Sequence, residues 1–370
     1  MRMISLQRLV QKIWARQGIL GVLGWLAAVP LSLLFLSVVR VRNFLYERGV
    51  LRSEQLPLHI ISVGNLTVGG TGKTPFVLWL ARLLHAQQHR VGILSRGYKG
   101  KNNGVTTVGT DGRAQATPEE VGDEAVMLAR TFSGVVLAGR DRVRAARFAQ
   151  KTHGVKVLIL DDGFQYRRLG RSLDILLLNA QKRETTGWLL PAGPFREPST
   201  SIHRADLVVV TKGETVQAQR DYAASLHIQE KSLFFANPRP AALVHSTRGE
   251  WQELPLFLLA HKKVMTVSGV AVPALFHRFV REAEAEIIDM MVFPDHHVYT
   301  ERDWQTITSV SRACDFVVTT EKDLVKLEKF PFATDKLVAL RIDMEVNDVE
   351  QFLASIESQL KGIGKQKNGE

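Results

Sequence analysis

Residues Leu58–Thr74 read LHIISVGNLTVGGTGKT, and a helical run opens directly behind them at Pro75. An apolar strand, a turn carrying Gly69, Gly70 and Gly72, and then a helix leave few choices of fold, because this order belongs to parallel α/β units. Backbone N–H groups in such a turn wrap phosphate oxygens, and the helix N-terminus adds its partial positive charge. The cradle is Thr67, Val68, Gly69, Gly70, Thr71, Gly72, Lys73 and Thr74. Within it Lys73 reaches the outer phosphates and the Thr74 hydroxyl serves a magnesium ion. The strict G-x-x-x-x-G-K-[ST] pattern asks for glycine where this chain has Thr67, while Gly69, Gly70 and Gly72 still supply backbone freedom. A bare glycine-rich turn is the plain alternative, and the strand before and the helix after argue against it.

A phosphate loop of this kind needs a carboxylate at the end of a neighbouring strand to hold the metal. Val157–Leu160 running into Asp161-Asp162-Gly163-Phe164-Gln165 provides one, with either Asp161 or Asp162 as the ligand. Read alone, Asp-Gly after a strand is an ordinary turn.

The rest of the chain alternates in the same way. Strands are expected at Leu58–Val63, Val91–Ser95, Gly134–Ala138, Lys156–Leu160, Leu173–Leu178 and Leu207–Val210, with helices at Lys73–Leu84, Pro118–Arg130 and Asp141–Gln150. Thr117-Pro118-Glu119-Glu120 reads as an N-cap, a first-turn proline and a capping-box glutamate. A less regular stretch follows around Asn237–Glu253. Beyond it, strands are expected at Val264–Val267, Ile287–Val292, Phe316–Thr319 and Leu337–Ile342, and helices at Pro273–Glu282, Glu301–Arg312 and Val349–Leu360.

Ahead of this pattern, Gln17–Val39 runs 23 residues without a charge. As a helix it spans roughly 34 Å, slightly more than the ~30 Å hydrocarbon core of a bilayer. A secretory signal has a shorter apolar stretch and a small-residue cleavage site, whereas this run ends in Val38-Val39-Arg40. Pro30 leaves open a pair of shorter helices, buried or hinged at the membrane surface. Arg2, Arg8, Lys12 and Arg16 precede the run and Arg40, Arg42, Arg48 and Arg52 follow it, so charge sets no orientation. The expected organisation is residues 1–52 as a membrane anchor with basic flanks, 53–236 as the phosphate-loop domain, 237–360 as a smaller α/β domain and 361–370 as a polar tail. Lysine and arginine number 48 against 37 acidic residues, which favours an anionic partner such as a nucleotide, a nucleic acid or a phospholipid surface. The single cysteine, Cys314, excludes an internal disulfide and a cysteine-built metal cluster, in keeping with a reducing compartment.

Seven motifs stand in one order: VGNLTVGGTGKTP, SRGY at Ser95–Tyr98, GDEA at Gly122–Ala125, DDGFQ at 161–165, PAGPFREP at 191–198, FPDHH at 293–297 and TEKD at 320–323. In this the chain resembles the tetraacyldisaccharide 4′-kinase family, the lipid A 4′-kinases, from the N-terminal anchor to about residue 340. The resemblance implies a P-loop kinase-like α/β/α domain, a second, smaller α/β domain, an active site in the cleft between the two, and an N-terminal membrane helix. It further implies transfer of phosphate from ATP, with Mg2+, to the 4′-hydroxyl of a lipid A disaccharide 1-phosphate. The location so implied is the inner membrane, with the catalytic domains on the cytoplasmic side. Asp123 and His296 would be the base-assisting pair, His296 rather than its neighbour His297. A carboxylate held by an imidazole is a reasonable proton acceptor for a sugar hydroxyl. Of the basic cluster Arg140, Arg142, Arg144 and Arg147, Arg142 falls at the place of the family's substrate-site arginine, and Arg196-Glu197 would face the substrate. The chain departs from the pattern at Tyr166, where many relatives carry histidine.

The competing reading is a membrane-attached P-loop switch of the GTPase kind. Its guanine-reading Asn/Thr-Lys-x-Asp would sit at Thr211-Lys212-Gly213-Glu214, where glutamate stands in place of aspartate. No aromatic-and-basic motif for nucleic acid appears in the sequence, so the positive charge is assigned to anionic headgroups and a phosphorylated lipid.

Overall fold

Val, Ile and Leu crowd His59–Gly64, Val157–Asp161, Leu173–Asn179 and Leu207–Thr211, and these segments are buried almost throughout. Strands covered on both faces belong to a parallel sheet, and every pair among them is parallel. The fold was obtained as a computed structural model, and the structure describes residues 9–182, 187–228, 232–247, 249–331 and 336–365. The basic flanks Arg2 and Arg8 and the end of the expected tail, 366–370, lie outside the described residues.

The chain has a mixed α/β fold and divides into two compact units, each discontinuous in sequence. The first collects the segments up to Lys73, Val157–Asn237, and from Val346 onward; the second collects Thr74–Lys156 and Pro238–Glu345. In the first unit the strands lie in the order Val157–Asp161, His59–Gly64, Leu173–Asn179, Leu207–Thr211, with Leu233–Ala236 following in parallel. Val63 stands opposite Asp161, so the glycine-rich loop and the Asp161-Asp162 turn leave adjacent strands at the same edge. Its core gathers Leu66, Phe164, Leu176, Phe195 and Val210.

In the second unit Val91–Ser95 pairs in parallel with Val135–Ala138, which carries Thr106–Thr110 and then Arg113–Ala114 antiparallel. A further parallel set runs Glu286–Val292, Lys263–Ser268, Phe316–Thr320, Leu337–Val346. One face of that set packs Val264, Val280 and Val318, and the other packs Met265, Val267, Leu324 and Ala339.

All the expected strands are present, most with their ends moved by one residue. Three expectations change. The helix expected over Pro118–Arg130 is two helices, Pro118–Val121 and Asp123–Thr131, because Gly122 sits at φ 87° between them. A Cβ at 122 would fall 2.3 Å from the Tyr98 carbonyl oxygen, so no other residue fits there. The irregular stretch Asn237–Glu253 is in fact extended: Leu233–Thr247 and Glu250–Leu254 pair antiparallel from Leu243 opposite Leu254 to Thr247 opposite Glu250. Pro238 and Pro240 lie outside that register, and their missing N–H groups cost it nothing. Finally, Val216–Ser225 and Glu321–Leu327 are helices that the polar, short sequences did not announce.

The apolar N-terminal segment forms one helix, Gly18–Glu47, which Pro30 does not break and which runs well past Val39. Among the described residues it is the one helix long and apolar enough to cross a membrane, with mean hydropathy 2.3, and it is compatible with membrane association. One side of it is attached to the first unit: Ser32 Oγ donates to the Leu189 carbonyl at 2.8 Å, Trp25 meets Trp188 edge to face, and Val39 enters the core. Ile19, Leu20, Leu34 and Val38 remain largely exposed. Such a surface is what a bilayer covers and water does not favour.

The two sides separate experimentally. Leu34→Glu with Val38→Glu is expected to leave the melting temperature unchanged and to lower co-sedimentation with anionic vesicles. Val39→Ala is expected to cost about 2 kcal/mol of stability and to leave co-sedimentation intact. Equal losses of vesicle binding in both proteins would remove the assignment of faces.

Candidate functional site

In the first unit the glycine-rich loop is held from two sides. Val68 N–H donates to the Pro194 carbonyl at 2.8 Å and Arg196 N–H to the Leu66 carbonyl at 2.7 Å, so the proline-rich segment lies along the loop. Thr211 Oγ1 donates to the Thr71 carbonyl at 2.8 Å and Lys212 Nζ to the Gly70 carbonyl at 2.6 Å. Thr211-Lys212 therefore supports the loop's backbone, which is not the work of a base-reading motif. Gly69 and Gly72 adopt φ 122° and 83°, whereas Thr67 is not among the positive-φ residues and is wholly buried. That is why threonine replaces glycine there without strain.

Lys73 Nζ donates to Asn65 Oδ1 at 3.0 Å and lies 3.5 Å from Asp162 Oδ1. Arg196 Nη1 reaches both oxygens of the same carboxylate, at 2.9 and 2.7 Å. Asp162 takes the left-handed conformation at φ 58°, while Asp161 is buried at the strand end. Thr74 is the second residue of the helix Lys73–Ala86. The buried Thr71 hydroxyl and Asn65 Nδ2 have no hydrogen-bond partner among the described residues. Unsatisfied donors beside two cations suit the oxygens of a polyphosphate.

Glu197, expected at the substrate, is 0% exposed, with Arg204 at 2.8 Å, Arg42 at 3.0 Å and Asn43 Nδ2 at 3.3 Å around its carboxylate. Burial pushes its carboxyl up, but the bond and charge of Arg204, with Arg42, hold it below its ordinary value. In this structure Glu197 fastens the N-terminal helix to its unit.

The second unit brings Asp123 and His296 together across 173 positions of sequence, with His296 Nδ1 at 2.9 Å from Asp123 Oδ1 and 3.1 Å from Oδ2. The break at Gly122 makes Asp123 the first residue of its helix, where the N-terminal dipole favours an anion. The Glu124 N–H also donates to Asp123 Oδ1, at 3.0 Å. Lys326 Nζ stands 3.3 Å from Asp123 Oδ2, and Lys322 pairs with Asp295. Burial raises the Asp123 carboxyl, but the hydrogen bond and charge of His296, with Lys322 and Lys326, outweigh it and hold the group well below the usual carboxylate range. His296 sits at φ 60°, a strained conformation of the kind found at functional sites. The Tyr98 ring lies 5.3 Å from its imidazole.

His297 turns away, stacking on Phe293 and meeting Asp303 Oδ2 at 3.0 Å. Of the four clustered arginines only Arg142 is buried, at the start of the helix Arg142–His153 capped by Asp141. Sequence reasoning missed Arg196 as the partner of Asp162, and Lys326 altogether. The motif PAGPFREP contained the first, whereas a lysine three residues beyond TEKD carried no local signal.

Residues 25–361 match the model of the tetraacyldisaccharide-1-P 4′-kinase family. The tetraacyldisaccharide 4′-kinase of Syntrophus aciditrophicus is 38% identical over 335 residues, 87% of this chain and 89% of its own. That of Geobacter sulfurreducens is 39% identical over 307 residues, 82% of this chain and 84% of its own. The crystal structure of LpxK from Aquifex aeolicus in complex with ATP is 34% identical, with a TM-score of 0.76, covering 89% of this chain and 97% of that one. With the P-loop, the DDGFQ carboxylates and the Asp123–His296 contact all inside the matched span, the chain belongs to the tetraacyldisaccharide-1-P 4′-kinase family.

Proposed function

We propose that this protein transfers the γ-phosphoryl group of ATP to the 4′-hydroxyl of a lipid A disaccharide 1-phosphate. The observation that carries the reading is the convergence of Lys73 and Arg196 on Asp162 at the rim of a glycine-rich loop followed by a helix. Membership of a family named for that reaction, and the ATP held by the Aquifex aeolicus relative, support it.

Phosphoryl transfer asks little covalent chemistry of a protein and much positioning and charge. The backbone of residues 67–72 is proposed to hold the phosphate chain, and Lys73 to stabilise charge on its outer end. The Thr74 hydroxyl with Asp161 or Asp162 supplies the hard oxygen donors that suit Mg2+, which keeps few protein ligands and completes its shell with phosphate and water. When bound, that ion would neutralise charge shared between the β- and γ-phosphates.

The Asp123–His296 pair is proposed to take the proton of the 4′-hydroxyl, with the ionised carboxylate and the imidazole acting as a unit. Arg142 is proposed to meet a substrate phosphate, and Glu197 to serve the substrate through the N-terminal helix that it anchors. A lipid substrate and the exposed apolar helix face support a place at the inner membrane, with both units on the cytoplasmic side where ATP is supplied.

Lys73→Ala is expected to lower kcat about a hundredfold or more with the fold intact, since water cannot restore the lost charge at the same geometry. Near-normal turnover at saturating ATP would remove the P-loop assignment. Asp161→Asn should raise the Mg2+ concentration needed for half-maximal rate, and an unchanged Mg2+ titration takes Asp161 out of the metal site. Asp123→Ala and His296→Ala should each reduce kcat about a hundredfold with little change in the KM for ATP. Their double variant should be little worse than the poorer single one; fully multiplicative losses would sink the pair as a unit.

A further inference from the structure

We propose that Lys326, seated by the wholly buried Asp323, is the positioning residue that holds Asp123 in register with His296; the inference rests on the reading of Asp123 and His296 as the proton-handling pair. Lys326 is only 10% exposed, and its ammonium stands between two carboxylates, 3.3 Å from Asp123 Oδ2 and 2.9 Å from Asp323 Oδ1. The ring of Tyr299 lies beneath it, 5.4 Å from Nζ to the centroid. Burying an ammonium is costly unless charge and dipoles replace its water, and here two anions and an aromatic face do so.

Asp323 has no exposed surface. Its Oδ2 accepts the Gly269 N–H at 2.8 Å and the Thr320 hydroxyl at 2.8 Å. The carbonyl of the same Gly269 accepts the His296 N–H at 3.3 Å. One carboxylate is therefore tied to both members of the pair, to Asp123 through Lys326 and to the backbone of His296 through Gly269. The tie has work to do, because His296 at φ 60° holds a conformation that an unsupported loop would leave. Asp323 and Lys326 lie three residues apart on the helix Glu321–Leu327, the spacing that stacks two side chains on one face.

The charged and titratable groups facing Asp123 and His296 come from four elements. Glu124 neighbours Asp123 on its own helix, Lys322, Asp323 and Lys326 come from the helix Glu321–Leu327, Asp295 and Tyr299 come from the loop that carries His296, and Tyr98 comes from the segment after the strand Val91–Ser95. Removing the positive charge of Lys326 takes away one of the influences that hold the Asp123 carboxyl low, so the pH at which that carboxyl ionises must rise.

The test is the steady-state kinetics of the full-length protein in detergent, with a lipid A disaccharide 1-phosphate and MgATP each varied at neutral pH. Lys326→Met is expected to lower kcat about tenfold with an unchanged KM for ATP. Lys326→Arg should recover most of that loss, because it restores the charge between the two carboxylates. Asp323→Asn should lower kcat, and adding Lys326→Met to it should cost little more, since both act through Asp123. If Lys326→Met does not fold, Lys326→Gln, which keeps donors and drops the charge, should show the same split. A wild-type kcat in a folded Lys326→Met or Lys326→Gln variant, or equal losses for Arg and Met, overturns the inference. Asp123→Asn separates the two readings: near-wild-type turnover there overturns the pair itself, whereas an inactive Asp123→Asn beside a wild-type kcat for Lys326→Met overturns only the role of Lys326.

Discussion

A carboxylate removed from water stays ionised only where cations and N–H donors take the place of its hydration, and the neighbourhood of Asp123 is built around that demand. Gly122 ends one helix and starts another, which places Asp123 at a fresh N-terminus with the Glu124 N–H on its oxygen. The loop after Phe293 then delivers His296 to one side, and the helix Glu321–Leu327 delivers Lys326 to the other. Without the cations, burial would drive the carboxyl upward. The left-handed backbone at His296, φ 60°, belongs to the same arrangement.

The first unit solves the reverse problem, keeping a site ready for an anion. Its glycine-rich loop is braced by backbone bonds from the proline-rich segment and by Thr211 and Lys212, so its amides are fixed before any ligand arrives. Preorganised dipoles and cations need no rearrangement when charge develops, and that accounts for most of what a kinase must supply. Asp162 meanwhile keeps Lys73 and Arg196 near the loop rim. Glu197, next along the chain from Arg196, faces the other way and clamps Arg42 and Arg204. A single segment thus serves the glycine-rich loop with one residue and the apolar N-terminal helix with the next.

Much of this was legible in the sequence, and the reason is locality. The strand–turn–helix at Leu58–Ala86, the apolar strands and the carboxylates at Asp161-Asp162 follow from spacing and side-chain type within short windows. The hairpin strands Leu233–Thr247 and Glu250–Leu254 escaped, because Asn237–Glu253 reads as irregular and only the antiparallel partner makes it extended. The helix break at Gly122 escaped as well, since it answers to the carbonyl of Tyr98, a contact between separate elements.

The sequence by itself determined the α/β class, the phosphate loop with Lys73, the apolar helix and, through ordered motifs, the family. Tertiary structure alone decided that Glu197 looks inward to Arg42 and Arg204, that Asp162 belongs to Lys73 and Arg196, and that Lys326 stands beside Asp123. The physical reason is that backbone preference is set by near neighbours, whereas the partner of a charge is whichever group folding brings within a few ångströms, however far away it lies in the chain.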